Sequence, residues 1–183
     1  MGPPDARLRF EEIYLAHYQA ISTYVTRRAS APDEIADVIA ETFLTAWRRL
    51  ADMPAGDEAR LWLYGVARRV LANHHRAESR RNALALRLRE DLTQWAESVI
   101  EQPHSEAREA FSRLSDDDRE LLSLVGWEGL GTAEISKVLG CSRGAVRIRL
   151  HRARKRLAAE LAAAELDLTR YGARAVALAE EST

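Results

Sequence analysis

The residues of this chain best equipped for chemistry are arginines. Between Arg143 and Arg156 stand Arg143, Arg147, Arg149, Arg152, Arg154, Lys155 and Arg156, with no Asp or Glu among them. Guanidinium groups at helical spacing offer paired hydrogen bonds to guanine in a major groove and charge-assisted bonds to phosphate. A run of charge is most often a solvated helix face. Here it coincides with a capped entry, a glycine turn and a continuous apolar stripe, a combination that points to nucleic acid. Arg154, Lys155 and Arg156, at the far end, are equally placed to offset the helix dipole. A second basic cluster runs through Arg68, Arg69, Asn73, His74, His75, Arg76, Arg80 and Arg81, and it also suits phosphates.

Other reactive groups do not assemble into a catalytic or metal set. His74 and His75 are adjacent, so on a helix they point in different directions. His17 and His104 have no carboxylate or thiol at ligand spacing. Cys141 and His151 lie mostly along one helix, about 15 Å apart at the usual rise, too far for a thiolate couple. Gly126, Gly129 and Gly131 follow no strand and form no phosphate loop. The expectation is a protein that is not an enzyme and needs no cofactor or metal.

The arginines must be positioned by helices. In Gly131 to Leu157, Thr132 can cap a first helix bearing Ile135, Val138 and Leu139, Gly140 ends it, and Ser142 can cap the next. Val146, Leu150, Ala153 and Leu157 then recur at spacings of four, three and four, so one stripe faces a core. This predicts a helix-turn-helix whose second helix suits the major groove. Upstream, a first amphipathic helix is expected over Leu8 to Ala29, with Phe10, Ile13, Tyr14, His17, Ile21, Tyr24 and Val25 on one side. A second runs from about Asp33 to Leu50 with Ile35, Val38, Ile39, Phe43, Ala46, Trp47 and Leu50 inward, while Asp33, Asp37 and Glu41 align on an acidic outer face. Ala51 to Ala59, with Pro54 and Gly56, reads as a loop, and a third helix follows from about Arg60 to Arg81.

From Ser79 to Glu106 the pattern weakens, although Leu84, Leu88, Leu92, Trp95 and Val99 could make one stripe. A short helix over Glu106 to Leu114 is followed by Ser115, which caps a helix entered by Asp116, Asp117 and Asp118. Beyond Leu157 an alanine-rich tail reaches Thr183.

The 183 residues therefore describe an all-α chain of two small helical domains. Basic residues number 27 against 28 acidic ones, so the net charge of -1 announces no nucleic-acid partner, and the signal lies in how charge is distributed. One cysteine excludes an internal disulfide and a cysteine-rich zinc site and suits a reducing cytoplasm. No leader or membrane span is expected.

Two blocks together resemble the extracytoplasmic-function sigma factors, bacterial transcription initiation factors of the sigma-70 family. The first is DEIADVIAETFLTAWRRL with RLWLYGVARRVLANHHR; the second is LSDDDRELLSLVGWEGLGTAEISKVLGCSRGAVRIRLHRARKRL. The resemblance implies a region 2 domain over 1–78, a linker over 79–106, a region 4 domain over 107–162 and a tail over 163–183. It implies that Asp37, Ala40, Glu41 and Thr42 bind the beta-prime clamp of core RNA polymerase, Ala40 standing where the family often has Gln. It implies contacts to the minus-ten element from Arg60, Arg68, Arg69, Asn73 and Arg76, where the family commonly has Asn and Asp in place of Arg69 and Asn73. The loop Ala51 to Ala59 matches the segment that captures a base flipped from the non-template strand. Trp62 could stack on a base, but its spacing with Leu63 and Val66 favours the core. The resemblance further implies minus-thirty-five contacts from Arg143, Gly144, Arg147, Ile148, His151 and Arg152, with Arg147 reading a base, Arg143 and Arg152 holding phosphates, and His151 either doing the same or simply lying at the surface. The partners it implies are core polymerase through beta-prime and beta, promoter DNA and an anti-sigma factor. The alternative is a helix-turn-helix regulator that is not a polymerase subunit. An acidic helix beside a basic, aromatic-flanked one argues against that alternative.

Overall fold

The computed structural model describes the backbone of residues 3–29, 31–89 and 106–163 and the side chains of 5–29, 31–77 and 107–163. The chain divides into two compact units, 1–96 and 97–183. The described residues are helical, with no strand among them.

The first unit contains α1 (Pro3–Thr26), α2 (Pro32–Arg48) and α3 (Glu58–Arg89), each packed on the other two. Helix α1 begins earlier than the apolar pattern predicts, because proline fits a first helical turn and Asp5 favours the positive end of the dipole. Pro32, Asp33 and Glu34 start α2 in the same manner, without a side-chain cap at Ala31. Ile21, Tyr24, Val25, Val38, Leu63 and Ala67 are buried at the centre, and the Tyr24 and Tyr64 rings stand 5.0 Å apart. Large aliphatic side chains buried in this way each contribute about 1.5–3 kcal/mol, so the bundle rests on the stripes expected from sequence.

Two tryptophans of those stripes are only partly buried. Trp47 is 44% exposed and meets Phe10 edge to face at 5.2 Å. Trp62 is half-buried, with the Arg49 guanidinium over its ring at 5.7 Å. Helix α3 also continues eight residues past Arg81, because 82–89 contains neither proline nor glycine and is rich in Ala, Leu and Arg. Leu84 and Leu88 lie on that extension, but their side chains fall outside the described residues, as do Leu92, Trp95, Val99 and the tail beyond 163.

The second unit contains α4 (Glu106–Ser112), α5 (Asp116–Gly126), α6 (Thr132–Leu139) and α7 (Arg143–Ala163), with α7 packed against the other three. Val146, Leu150, Ala153 and Leu157 are all buried, and Leu161 extends the stripe by one turn. Ser115 Oγ accepts from the Asp118 amide at 3.2 Å, capping α5. The acidic run is structural: Asp116 pairs with Arg119, and the nearly buried Asp118 accepts from Arg156 Nη1 at 2.6 Å.

The turn of the helix-turn-helix is built from backbone. Gly140 has φ 64°, a left-handed conformation that suits glycine, and the Cys141 amide returns to the Ser136 carbonyl at 3.0 Å. Ser142 Oγ then accepts from the Ala145 amide at 3.1 Å and caps α7. Thr132 does not cap α6. Gly131 occupies the cap position, and Glu134 reaches back so that its Oε2 accepts from the Gly131 amide at 2.8 Å. No helix among the described residues is long and apolar enough to cross a membrane.

Candidate nucleic-acid and protein interfaces

Helix α7 carries a single outward arc. With 3.6 residues per turn, burying Val146, Leu150, Ala153 and Leu157 forces Gly144, Arg147, Ile148, His151 and Arg152 onto the opposite side. Arg147, Ile148, His151 and Arg152 are exposed, and Arg143 is exposed at the helix start. Gly144, Arg147, Ile148, His151 and Arg152 therefore lie on one side of α7, and Arg143 stands at the edge of that side next to the buried stripe. Ile148, 56% exposed between Arg147 and Arg149, puts an apolar group among the cations. Such a group can touch a thymine methyl, while its neighbours donate to guanine or phosphate. Arg156 is diverted from this arc by Asp118.

Helix α3 carries a second, smaller face. Arg69, Asn73 and Arg76 are exposed and follow one another at spacings of four and three, and Arg76 Nη2 donates to Asn73 Oδ1 at 2.6 Å. Trp62 lies seven residues before Arg69, two turns away on the same side. Half-buried, Trp62 is partly in the core as its periodicity predicts and leaves part of a flat ring beside a basic stripe, a combination on which bases can stack. Two expected members do not join this face. Arg60 sits half a turn round from Arg69, and its charge acts on His17 of α1, while Arg68 is half-buried and engaged within the fold.

Between α2 and α3 the chain makes a built loop. Arg49 Nε meets Asp52 Oδ2 at 3.0 Å, Leu50–Asp52 forms a 3-10 turn, and Met53 is 4% exposed. Gly56 takes φ 62°, and the Ala59 amide returns to its carbonyl at 3.0 Å. Ala55, Gly56 and Asp57 remain exposed at the tip. Beside the loop, burial lowers the pKa of His17, the Arg60 guanidinium lowers it further, and Asp57 opposes them.

The outer face of α2 presents Asp33, Asp37, Ala40 and Glu41 to solvent. Thr42 is not part of it. Its side chain is fully buried, one position round from Glu41 on the Val38 and Ala46 side, and its hydroxyl donates to the Val38 carbonyl at 2.7 Å. Leu44, 45% exposed, lies on the outer face instead, a position that a search for aligned carboxylates does not mark. Two of the helix's carboxylates turn toward α3: Glu41 Oε2 lies 3.3 Å from His74 Nε2, and Glu34 Oε1 lies 3.6 Å from His75 Nε2. The adjacent histidines do point apart, each to its own partner. Among the described residues no group of His, Cys, Asp and Glu is arranged to hold a metal ion.

Two helical units, one with a helix-turn-helix and one with a basic aromatic stripe beside an acidic helix, suit a factor that handles DNA. Known proteins agree. The sigma-70 region 2 family matches residues 13–81 and the sigma-70 region 4 family matches residues 104–157. The RNA polymerase sigma factor YlaC of Bacillus subtilis (strain 168) is 30% identical over 153 residues, covering 80% of this chain and 88% of that protein. The ECF RNA polymerase sigma factor SigF of Caulobacter vibrioides (strain NA1000 / CB15N) is 30% identical over 144 residues, covering 78% and 79%. The fold resembles the sigma factor RpoE solved with the anti-sigma factor NepR from Bartonella quintana, with TM-score 0.56, 22% identity and coverage of 83% of this chain and 96% of that one. It also resembles CnrH solved with the cytosolic domain of CnrY, with TM-score 0.56, 23% identity and coverage of 84% and 88%. The chain belongs to the sigma-70 family of RNA polymerase sigma factors, in its extracytoplasmic-function group. Its role is transcription initiation.

Proposed function

We propose that residues 1–78 form the region 2 domain, which docks on the beta-prime clamp of core polymerase and opens the minus-ten element, and that 107–162 form the region 4 domain, which reads the minus-thirty-five element and meets beta. The intervening 79–106 serve as linker. The observation that carries this reading is the single exposed arc of Arg147, Ile148, His151 and Arg152 in a separate unit from the Trp62, Arg69, Asn73 and Arg76 stripe. Two modest grips on one promoter multiply through effective concentration, so neither unit needs high affinity alone.

The acidic α2 face, with Asp37, Ala40 and Glu41 and with Leu44 in place of Thr42, is the polymerase surface. The loop over 51–59 receives a flipped base, which offsets the few kcal/mol that unstacking costs. Control by an anti-sigma factor is supported by the resemblance to a sigma factor solved in such a complex. Transcription from a random promoter library by core polymerase, with and without this protein, tests the whole reading. Protein-dependent start sites sharing two spaced elements are expected, and their absence together with failure to bind core enzyme rejects it.

A further inference from the structure

The loop over 51–59 is held from outside as well as by its own bonds. Arg9, early in α1 and 44 positions upstream, donates from Nη2 to the Met53 carbonyl at 2.8 Å in a partly buried contact. A guanidinium bond to a carbonyl is charge-assisted and stronger than a neutral one. It fixes the plane of the peptide that joins Met53 to Pro54, one peptide short of the exposed tip at Ala55, Gly56 and Asp57. Below it, the Met53 side chain is buried and the Met53 amide returns to the Leu50 carbonyl at 3.4 Å. On the other side Gly56 makes its left-handed turn into α3. The tip is thus a short span between two fixed points, and Arg9 sets the orientation of the first. Phe10, the next residue of α1, packs against Trp47, which holds this part of α1 to the end of α2 where the loop begins.

We infer that Arg9 is a positioning residue for base capture: it touches no DNA but holds the loop in the shape that accepts the extruded base. This rests on the proposed role of the loop, and the test separates the two. The minus-ten base preference of holoenzyme would be measured on a promoter library for the wild type, for Arg9→Met, for Arg9→Lys and for a tip variant carrying Ala55→Glu and Asp57→Ala. Binding to core polymerase and preference at the minus-thirty-five element are followed in parallel. Loss of one charge-assisted bond predicts that Arg9→Met weakens minus-ten discrimination about tenfold, with Arg9→Lys partly restoring it and both parallel readouts unchanged.

If the tip variant loses minus-ten discrimination and Arg9→Met keeps it, the inference is overturned and the loop's role stands. If neither variant loses it, the loop reading fails and the inference falls with it. Equal losses at both promoter elements, or weakened core binding, would show a general structural role for Arg9 and overturn the inference too.

Discussion

Arg156 of α7 and Asp118 of α5 form a bond that ties α7 to the helix two before it in the chain: Nη1 lies 2.6 Å from Oδ2, with the carboxylate 10% and the arginine 57% exposed. Removing the arginine strands a nearly buried carboxylate, while solvent around the guanidinium limits the loss. Arg156→Ala is expected to lower the stability of the second unit by about 1 kcal/mol in denaturant titrations and to leave DNA affinity within about twofold. A DNA defect without a stability defect would return Arg156 to the reading surface.

Arg147 is expected to behave oppositely. Arg147→Ala should reduce use of promoters with a matched upstream element by about 10–100-fold while core polymerase binding persists, as loss of a paired contact to guanine predicts. Promoter-specific transcription and core binding measured on the same preparation check both halves.

Gly144 needs no special backbone conformation and lies in the first turn of α7, where an added Cβ would meet only Ser142 Oγ at 3.9 Å. The fold itself would therefore accept alanine. Gly144→Ala is expected to raise stability by roughly 0.3–1 kcal/mol while weakening upstream DNA binding, since the missing side chain leaves room for close approach. Melting temperature and DNA affinity should move in opposite senses.

Thr42 and Glu41 are neighbours in sequence, but one is buried and the other exposed on α2. Thr42→Val, close in shape, is expected to leave affinity for core polymerase unchanged, whereas Glu41→Lys should lower it by about tenfold or more through charge reversal at the proposed docking face. Titration of labelled variants with core enzyme distinguishes them.

His17 gives a pH dependence with a defined sign. Burial, with Arg60 adding to it, keeps its pKa below the ordinary 6.5. The unfolded chain therefore binds this proton more readily, and the stability of the first unit is at its full value above 6.5 and declines as pH falls through that value toward the lower folded one. His17→Gln should flatten the fall in melting temperature between about pH 7 and pH 5.

Much of this architecture is legible in the sequence because helical periodicity and capping are local. The α7 stripe, the left-handed Gly140 and the caps at Ser115 and Ser142 all follow from neighbours within a few positions. What escapes is set by distance in the chain. Thr42 looks polar and hence exposed, but a hydroxyl that bonds the carbonyl one turn back can be buried at little cost. Trp62 satisfies an apolar pattern and is half-buried, and its place on the same side of α3 as Arg69 and Asn73 appears only once the helix is built. Thr132 is a sound cap by type, and it loses that place because Glu134 satisfies the amide of Gly131 instead. The Arg9 bond to Met53 spans two helices and leaves no local mark.

Between Leu139 and Arg143 the turn has three residues, and each is committed: Gly140 to its left-handed conformation, Cys141 to the Ser136 carbonyl, and Ser142 to the cap of α7. The angle at which α7 leaves α6 is therefore dictated by main chain and by one serine, none of which belongs to the outward arc. Address and delivery are separately encoded. With positions 147, 148, 151 and 152 in the reading role proposed for them, they can be exchanged for other side chains while the helix still arrives at the same pitch, so a new promoter vocabulary is reachable through a few surface substitutions without refolding the unit that presents them.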